Sequence, residues 1–292
     1  MSKKIFIVIL LVLLATGVFG IHKALQYRQN SRVARQNAKT PEVSLTILEG
    51  WTINNIADYL EKKGVARKQQ FIDSEKNFNI SAFPLLASKP KTADLEGFLF
   101  PDTYLIYDPK AAGLSYSVKN FDPSAQLIGK MLDNFSQKIT PQIQEQAKKR
   151  RLSLFQIVTL ASIVEKETGQ RQVGEQANAE LDGERKIVAS IFYNRLAGDL
   201  ALQSDATINF ITGKKTPQVS LKDQEVDSLY NTYKYHGLPP GPICNPSLSA
   251  IMSVLYPQTT DYFYFLTDPE TGKAVFAKTY EEHLKNKQKF LK

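Results

Sequence analysis

The chain has a single cysteine, Cys244, so no intrachain disulfide can form. Its three histidines, His22, His236 and His283, are far apart in sequence, and beside one cysteine they give no zinc-ligand spacing. No metal and no other cofactor is expected. Residues 1–41 contain no aspartate or glutamate but seven basic residues: Lys3, Lys4, Lys23, Arg28, Arg32, Arg35 and Lys39. The other 251 of the 292 residues therefore carry 30 basic against 29 acidic groups. The formal charge of +8 lies almost wholly in the first 41 residues. The remainder is nearly neutral, which argues against nucleic acid as a partner. Internal repeats and low-complexity tracts are also missing. What is present is a composition of 42% hydrophobic and 10% aromatic residues, enough for one large domain or two modest ones.

"IFIVILLVLLATGVFGI", residues 5–21, is an uncharged apolar run of 17. At about 1.5 Å per residue a helix there would span roughly 25 Å, close to a bilayer core. Uncleaved anchor and cleaved signal peptide are both open, and the lack of a small-x-small cleavage site favours the anchor. Residues 1–4 then form a short tail, and 22–41, rich in Gln, Asn, Arg and Lys, a juxtamembrane linker that suits a membrane surface.

In "EVSLTILEGWTINNIADYLEKKGV", Val43, Leu45 and Ile47 alternate with Ser44 and Thr46, the pattern of a half-buried strand. Thr52 is a cap for a helix with Ile53, Ile56, Ala57 and Leu60 on its apolar face, and Gly64 stops it. A second short helix is predicted over 68–78. This strand–helix–helix unit is too small to hold much core by itself, and it is assigned to a module over 42–90. The larger part, 91–292, reads as helix-rich α+β. Helices are predicted over 124–139, 153–168 and 184–197, a hairpin over 262–277 and a closing helix over 279–291.

Three further stretches carry chemistry-bearing residues. "LEGFLFPDTY" gathers aromatics around Pro101 and Asp102. "LQSDATINF" places Gln203, Asp205 and Thr207 at period two, one polar face if the segment is extended. "SLYNTYKYHGLPPGPICNP", 228–246, has four prolines and almost no helical pattern. Its aromatic and amide side chains suit a sugar, since rings stack on C–H faces and amides pair with hydroxyl and N-acetyl groups. A loop stiffened by proline and held by its own aromatics is an equally good account.

Together with "ASIVEKET" and "YFYFLTD", these segments resemble the endolytic murein transglycosylase (YceG-like, MltG) family, in the family's order and over about 43–292. The resemblance implies a membrane-anchored enzyme outside the cytoplasm, at the plasma membrane. It would cut peptidoglycan glycan strands internally, between N-acetylmuramic acid and N-acetylglucosamine, leaving 1,6-anhydro ends. It also implies a LysM-like, glycan-holding small module and partners among wall-synthesis enzymes. Five basic residues follow the apolar run within 18 positions, so a plain charge count would instead keep the C-terminal side in the cytoplasm.

Non-hydrolytic cleavage needs one general acid for the leaving oxygen, which then takes the proton of the attacking 6-hydroxyl. The candidates are Glu165 and Glu167, at the end of the 153–168 helix. At about 100° per residue they diverge by about 160°. The wheel sets Glu165 among the buried positions Leu154, Ile157, Val158, Ala161 and Val164, and Glu167 near the edge. The resemblance favours Glu167, because Ile163, Glu167 and Thr168 match the aliphatic–Glu–Ser pattern of lytic transglycosylases. Glu167 is therefore the expected catalytic residue and Glu165 the runner-up. Gln203, Asp205, Tyr230, Asn231, Tyr233, Asn245 and Asp102 are the expected substrate contacts. Two other classes stay open: a non-catalytic glycan-binding scaffold and a two-carboxylate hydrolase.

Overall fold

The computed structural model describes residues 42–107, 122–169, 175–214 and 219–291, with Lys23 and Thr216. The apolar run 5–21 lies outside the described residues, as does the linker apart from Lys23. Among the described residues no helix is long and apolar enough to cross a membrane. The chain divides into two compact units. One is Met1–Glu42 with Tyr107–Ser115, of which Lys23, Glu42 and Tyr107 are described. The other, Val43–Ile106 with Tyr116–Lys292, carries the core and the candidate site.

The mixed, helix-rich class is the one observed. Strand β1 (Glu42–Thr46) buries Leu45 and exposes Ser44 and Thr46, and Ile47 beyond it is buried too. It pairs with β2 (Thr103–Tyr107) in a two-stranded sheet. Helix α1 (Ile53–Lys63) begins where anticipated: Thr52 and Asn55 close a reciprocal cap, at 3.2 and 3.1 Å. Gly64 ends it with φ 66°, a left-handed conformation that glycine adopts without penalty. Helix α2 (Lys68–Lys76) and two 3-10 turns, Ile80–Ala82 and Pro84–Ser88, follow.

Helices α3 (Pro123–Lys138) and α4 (Pro141–Lys149) lead to α5 (Leu154–Thr168). Then come α6 (Glu175–Ala197), α7 (Asp205–Thr212), α8 (Leu221–Gln224) and α9 (Leu248–Leu255). An antiparallel hairpin of β3 (Tyr264–Thr267) and β4 (Ala274–Ala277) sets Tyr264 opposite Ala277, and α10 (Tyr280–Phe290) closes the chain.

Helix α5 is central. Every residue from Ile157 to Glu165 is buried, because α4, α6, α7 and α9 all pack on it. The single buried stripe expected from the wheel is thus too narrow; a helix with neighbours on every side is apolar all round. Its interior hydroxyls bond within the helix, Thr159 to Phe155 C=O at 2.8 Å and Ser162 to Thr159 C=O at 2.7 Å.

One expectation gives way. The segment 202–210 is not extended: α7 starts at Asp205, and Thr207 turns inward to Ser204 C=O at 2.8 Å and to Thr232 at 2.9 Å. The polar alternation is accidental, since the relation that matters is the three-residue step from Ser204 to Thr207. The small strand–helix–helix unit packs on the larger part. Leu45, Ile56 and Phe71 belong to the same core as Phe98, Phe135 and Val158. Gly97 shows how tight the join is. A Cβ there would stand 2.5 Å from Pro242 Cγ and 2.7 Å from Val158 Cγ1, at a φ of 90°.

Candidate active site

The end of α5 projects two carboxylates in different directions. Glu167 is half-buried and reaches the start of α7. Ser204 donates its hydroxyl to Glu167 Oε1, and the Ala206 N–H in the first turn of α7 also bonds this carboxyl. Ser204 itself makes no side-chain cap on α7, so Glu167 fills that place, an acid at the positive end of a helix. Burial pushes the Glu167 carboxyl above the usual carboxylate range, and the neighbouring Asp205 charge adds to it. The Ser204 and Ala206 bonds pull the other way without cancelling the rise.

Asp205 accepts the Tyr233 hydroxyl and, at 3.4 Å, the Val219 N–H. Burial and this bond to Asp205 push the Tyr233 phenol far up, so it is a hydrogen-bond donor at all ordinary pH. Gln203 stands exposed beside them in a left-handed conformation, φ 53°, that side-chain-bearing residues seldom adopt. Two bonds hold it there: its N–H to Thr232 C=O at 2.9 Å, and Arg195 Nη2 to its Oε1 at 2.7 Å. Arg195 also clamps Ala201 C=O at 2.8 Å and Phe263 C=O at 2.9 Å, and its guanidinium lies 5.4 Å over Tyr264. Glu167, Gln203, Asp205 and Tyr233 are thereby brought together around Ser204.

Glu165 is different. It is 2% exposed, and both its oxygens accept protein donors. Arg185 Nη2 bonds Oε1 at 2.9 Å; the Ser247 N–H and hydroxyl bond Oε2 at 3.0 and 2.6 Å. Ser247 caps α9, so Glu165 ties α5 to the starts of α9 and, through Arg185, to α6. This is a paired buried ion whose role is to hold three helices in register.

The remaining predicted contacts divide. Tyr230 is half-buried, packs 5.1 Å from Phe210, and has its phenol pushed up to about 12, chiefly by burial. Asn231 is 0% exposed: its amide donates to Gln224 and Val226 C=O, and its oxygen accepts the Tyr233 N–H. It shapes the loop that presents Tyr233. Asn245 is also 0% exposed. Its oxygen accepts Gly97 and Leu99 N–H, both at 2.9 Å, and its amide donates to Trp51 C=O and Glu96. Asp102 is exposed elsewhere, bonded to Asn134 and to its neighbour Thr103, and these bonds hold its carboxyl below the usual range. Cys244 is a packed residue whose thiol burial pushes well up. Among the described residues no cluster of histidine, cysteine, aspartate and glutamate could hold a metal ion.

Sequence reasoning missed Ser204, Arg195, Arg185, Ser247 and Glu96. Ser204 was findable: Ser-Asp before an apolar run is a helix-start signature. The arginines sit within helical patterns, where nothing distinguishes them from solvated positions. Glu96, which is 4% exposed, accepts the Ile53 N–H at the start of α1, and burial pushes its carboxyl well up.

A fold built around one buried helix, ending in a half-buried acid that accepts one hydroxyl and one amide donor, is a frame suited to acid–base chemistry. The chain belongs to the YceG-like family, whose model matches residues 2–289. A Bacillus subtilis (strain 168) protein named endolytic murein transglycosylase is 34% identical over 285 residues, 94% of this chain and 72% of the relative. A protein of the same name from Streptococcus pneumoniae serotype 2 (strain D39 / NCTC 7466) is 31% identical over 264 residues, 83% of this chain and 44% of its own length. The crystal structure of a YceG-like protein from Listeria monocytogenes matches with a TM-score of 0.68 and 32% identity, covering 89% of this chain and 80% of that one.

Proposed function

We propose that the chain is an endolytic murein transglycosylase in which Glu167 acts as the single general acid and base. The observation that carries this is the Glu167 carboxyl itself. It is half-buried, raised above the carboxylate range, and within reach of the donors Ser204 and Ala206, while Glu165 is buried and held by Arg185 and Ser247. The names of the relatives point to the same reaction.

The protonated Glu167 donates to the bridging oxygen as the bond from the muramic anomeric carbon breaks. Positive charge develops on the ring. The resulting carboxylate then takes the proton of the muramic 6-hydroxyl, whose oxygen closes on the anomeric carbon. One C–O bond breaks and one forms, the proton returns to Glu167, and no water is consumed. Ser204 steadies the carboxylate form in the second half. In this reading Gln203, exposed and held by Arg195, meets a hydroxyl or N-acetyl group of the glycan, and Tyr230 contributes an aromatic contact. The apolar run 5–21 anchors the chain in the plasma membrane, with the catalytic part outside the cytoplasm. The β1–α1–α2 element holds glycan in a LysM-like manner, and enzymes of wall synthesis are the expected protein partners.

The test is digestion of purified peptidoglycan with the full chain, read by mass spectrometry. Anhydro-muramic ends support the reading. Reducing ends overturn it in favour of a hydrolase, and no products from folded protein overturn it in favour of a binding scaffold.

A further inference from the structure

Gln203 is exposed between two buried residues, Leu202 at 2% and Ser204 at 1% exposure. Its φ of 53° is a left-handed conformation that a residue with a Cβ adopts at an energetic cost. The surroundings hold it there. Its N–H bonds Thr232 C=O at 2.9 Å, and the following N–H, of Ser204, bonds the Thr232 hydroxyl at 3.0 Å. With both neighbours packed inside, the backbone cannot relax without unpacking them. Strain kept in this way, one residue before the partner of Glu167, marks a side chain whose direction matters.

Arg195 decides which end of the Gln203 amide faces outward. A guanidinium has donors only, so it takes the oxygen end. Nη2 bonds Gln203 Oε1 at 2.7 Å, Nε bonds Ala201 C=O at 2.8 Å, and Nη1 bonds Phe263 C=O at 2.9 Å. With all three nitrogens engaged and Tyr264 against its plane, the arginine, 8% exposed, is itself fixed. The outer end of the amide is therefore Nε2. Among the described residues no acceptor takes it. Gln203 thus presents an oriented donor to solvent. A sugar hydroxyl both donates and accepts, so it pairs with either end of an amide and makes the clamp idle. The carbonyl oxygen of an N-acetyl group only accepts. A fixed donor selects that oxygen and works against a free amine, whose ammonium is itself a donor.

We infer that Gln203 donates its Nε2–H to the carbonyl oxygen of an N-acetyl group of the glycan, and that Arg195 is the positioning residue that fixes this donor. The site thereby distinguishes N-acetylated from de-N-acetylated strands. The inference rests on the reading of peptidoglycan as substrate and deepens it from a contact to a rule of selection. Ser204 turns its hydroxyl inward onto Glu167 while Gln203, next to it, turns outward, so Gln203 flanks the sugar that Glu167 reaches. Strands in which the amine read by Gln203 is free are bound and cut less well.

The test uses the full chain, purified in detergent and carrying Glu167→Gln so that ligand is not consumed. It is titrated by calorimetry with three peptidoglycan tetrasaccharides: fully N-acetylated, with free amines on the glucosamine units, and with free amines on the muramic units. The first should bind about tenfold more tightly than one of the other two, as the loss of one hydrogen bond requires, and the weaker ligand names the sugar that is read. Gln203→Met keeps an unbranched chain without the donor and should erase the difference. Gln203→Glu keeps the bond to Arg195, turns an acceptor outward and should reverse it. Arg195→Lys keeps a charge but not the fork that holds three acceptors, so the amide turns freely and the difference should shrink toward equality. Equal binding of the three ligands, a preference that survives Gln203→Met, or no binding of any ligand overturns the inference. A preference unaltered in Arg195→Lys, with unchanged circular dichroism, overturns the role given to Arg195. Cleavage is scored separately on the chain with Glu167 intact. Anhydro ends without a preference sink the selection alone, and a preference without anhydro ends sinks the enzymatic reading alone.

Discussion

Glu165 and Glu167 leave the same helix end two residues apart, and each meets the start of another helix. Glu165 meets α9 through Ser247 and is closed on all sides, its charge matched by Arg185 at 2.9 Å. Glu167 meets α7 through Ser204, has no cation on its carboxyl among the described residues, and keeps an accessible edge. Similar positions in the chain thus yield opposite chemistry. A buried acid with a full set of donors and a guanidinium is a structural tie. An acid desolvated beside another carboxylate, with one hydroxyl and one amide donor and no guanidinium, holds its proton into the range where it can give it away.

The sharpest way to break this contrast is Glu167→Gln. It should lower formation of anhydro ends by about 10²–10⁴-fold with an unchanged fold by circular dichroism. Full activity in that variant would collapse the contrast. Glu165→Ala should instead act on folding. It leaves the Arg185 guanidinium buried without its main partner, a loss of about 3–5 kcal/mol in urea unfolding. A Glu165→Ala protein as stable as the parent would show that the tie is not structural.

The next effect is on pH. Glu167 must be protonated to begin the reaction, so kcat/KM should fall as pH rises through its raised pKa. Asp205→Asn removes the neighbouring charge that helps keep the proton on, and the falling limb should move to lower pH. A profile that stays in place would remove Asp205 from the account. The smallest effect is on stability. Because the folded state holds the Glu167 proton to higher pH than the unfolded chain does, stability falls as pH rises from the unfolded to the folded pKa. Glu167→Gln should abolish that decline, so in pH-resolved thermal melts the variant should gain relative to the parent above that window.

Much of this was legible beforehand, for physical reasons that differ by element. The cap at Thr52, the stop at Gly64 and the closing hairpin are local chemistry, and they formed as read. The divergence of the two glutamates followed from helix geometry alone. What could not be read is long-range. Nothing local tells Arg185 and Arg195 from solvated arginines on a helix. Asn231 and Asn245 looked like ligand contacts because an amide that suits a sugar suits a backbone equally well. The helix at Asp205 was hidden by a period-two pattern, which its tertiary partner Thr232 overrides.

Asn245 has a bearing on when the molecule can become itself. It is separated by 148 residues from Gly97 and by 194 from Trp51, yet it supplies the bonds that fix both. Contacts that distant close large loops and form late. During synthesis, the stretch from β1 to Leu99 emerges long before Asn245 does and must wait, its Gly97 and Leu99 amides unanswered. Completion of the first third is thereby deferred to the arrival of the last, so that neither the turn at Trp51 nor the Gly97–Leu99 segment is in place on a half-made chain.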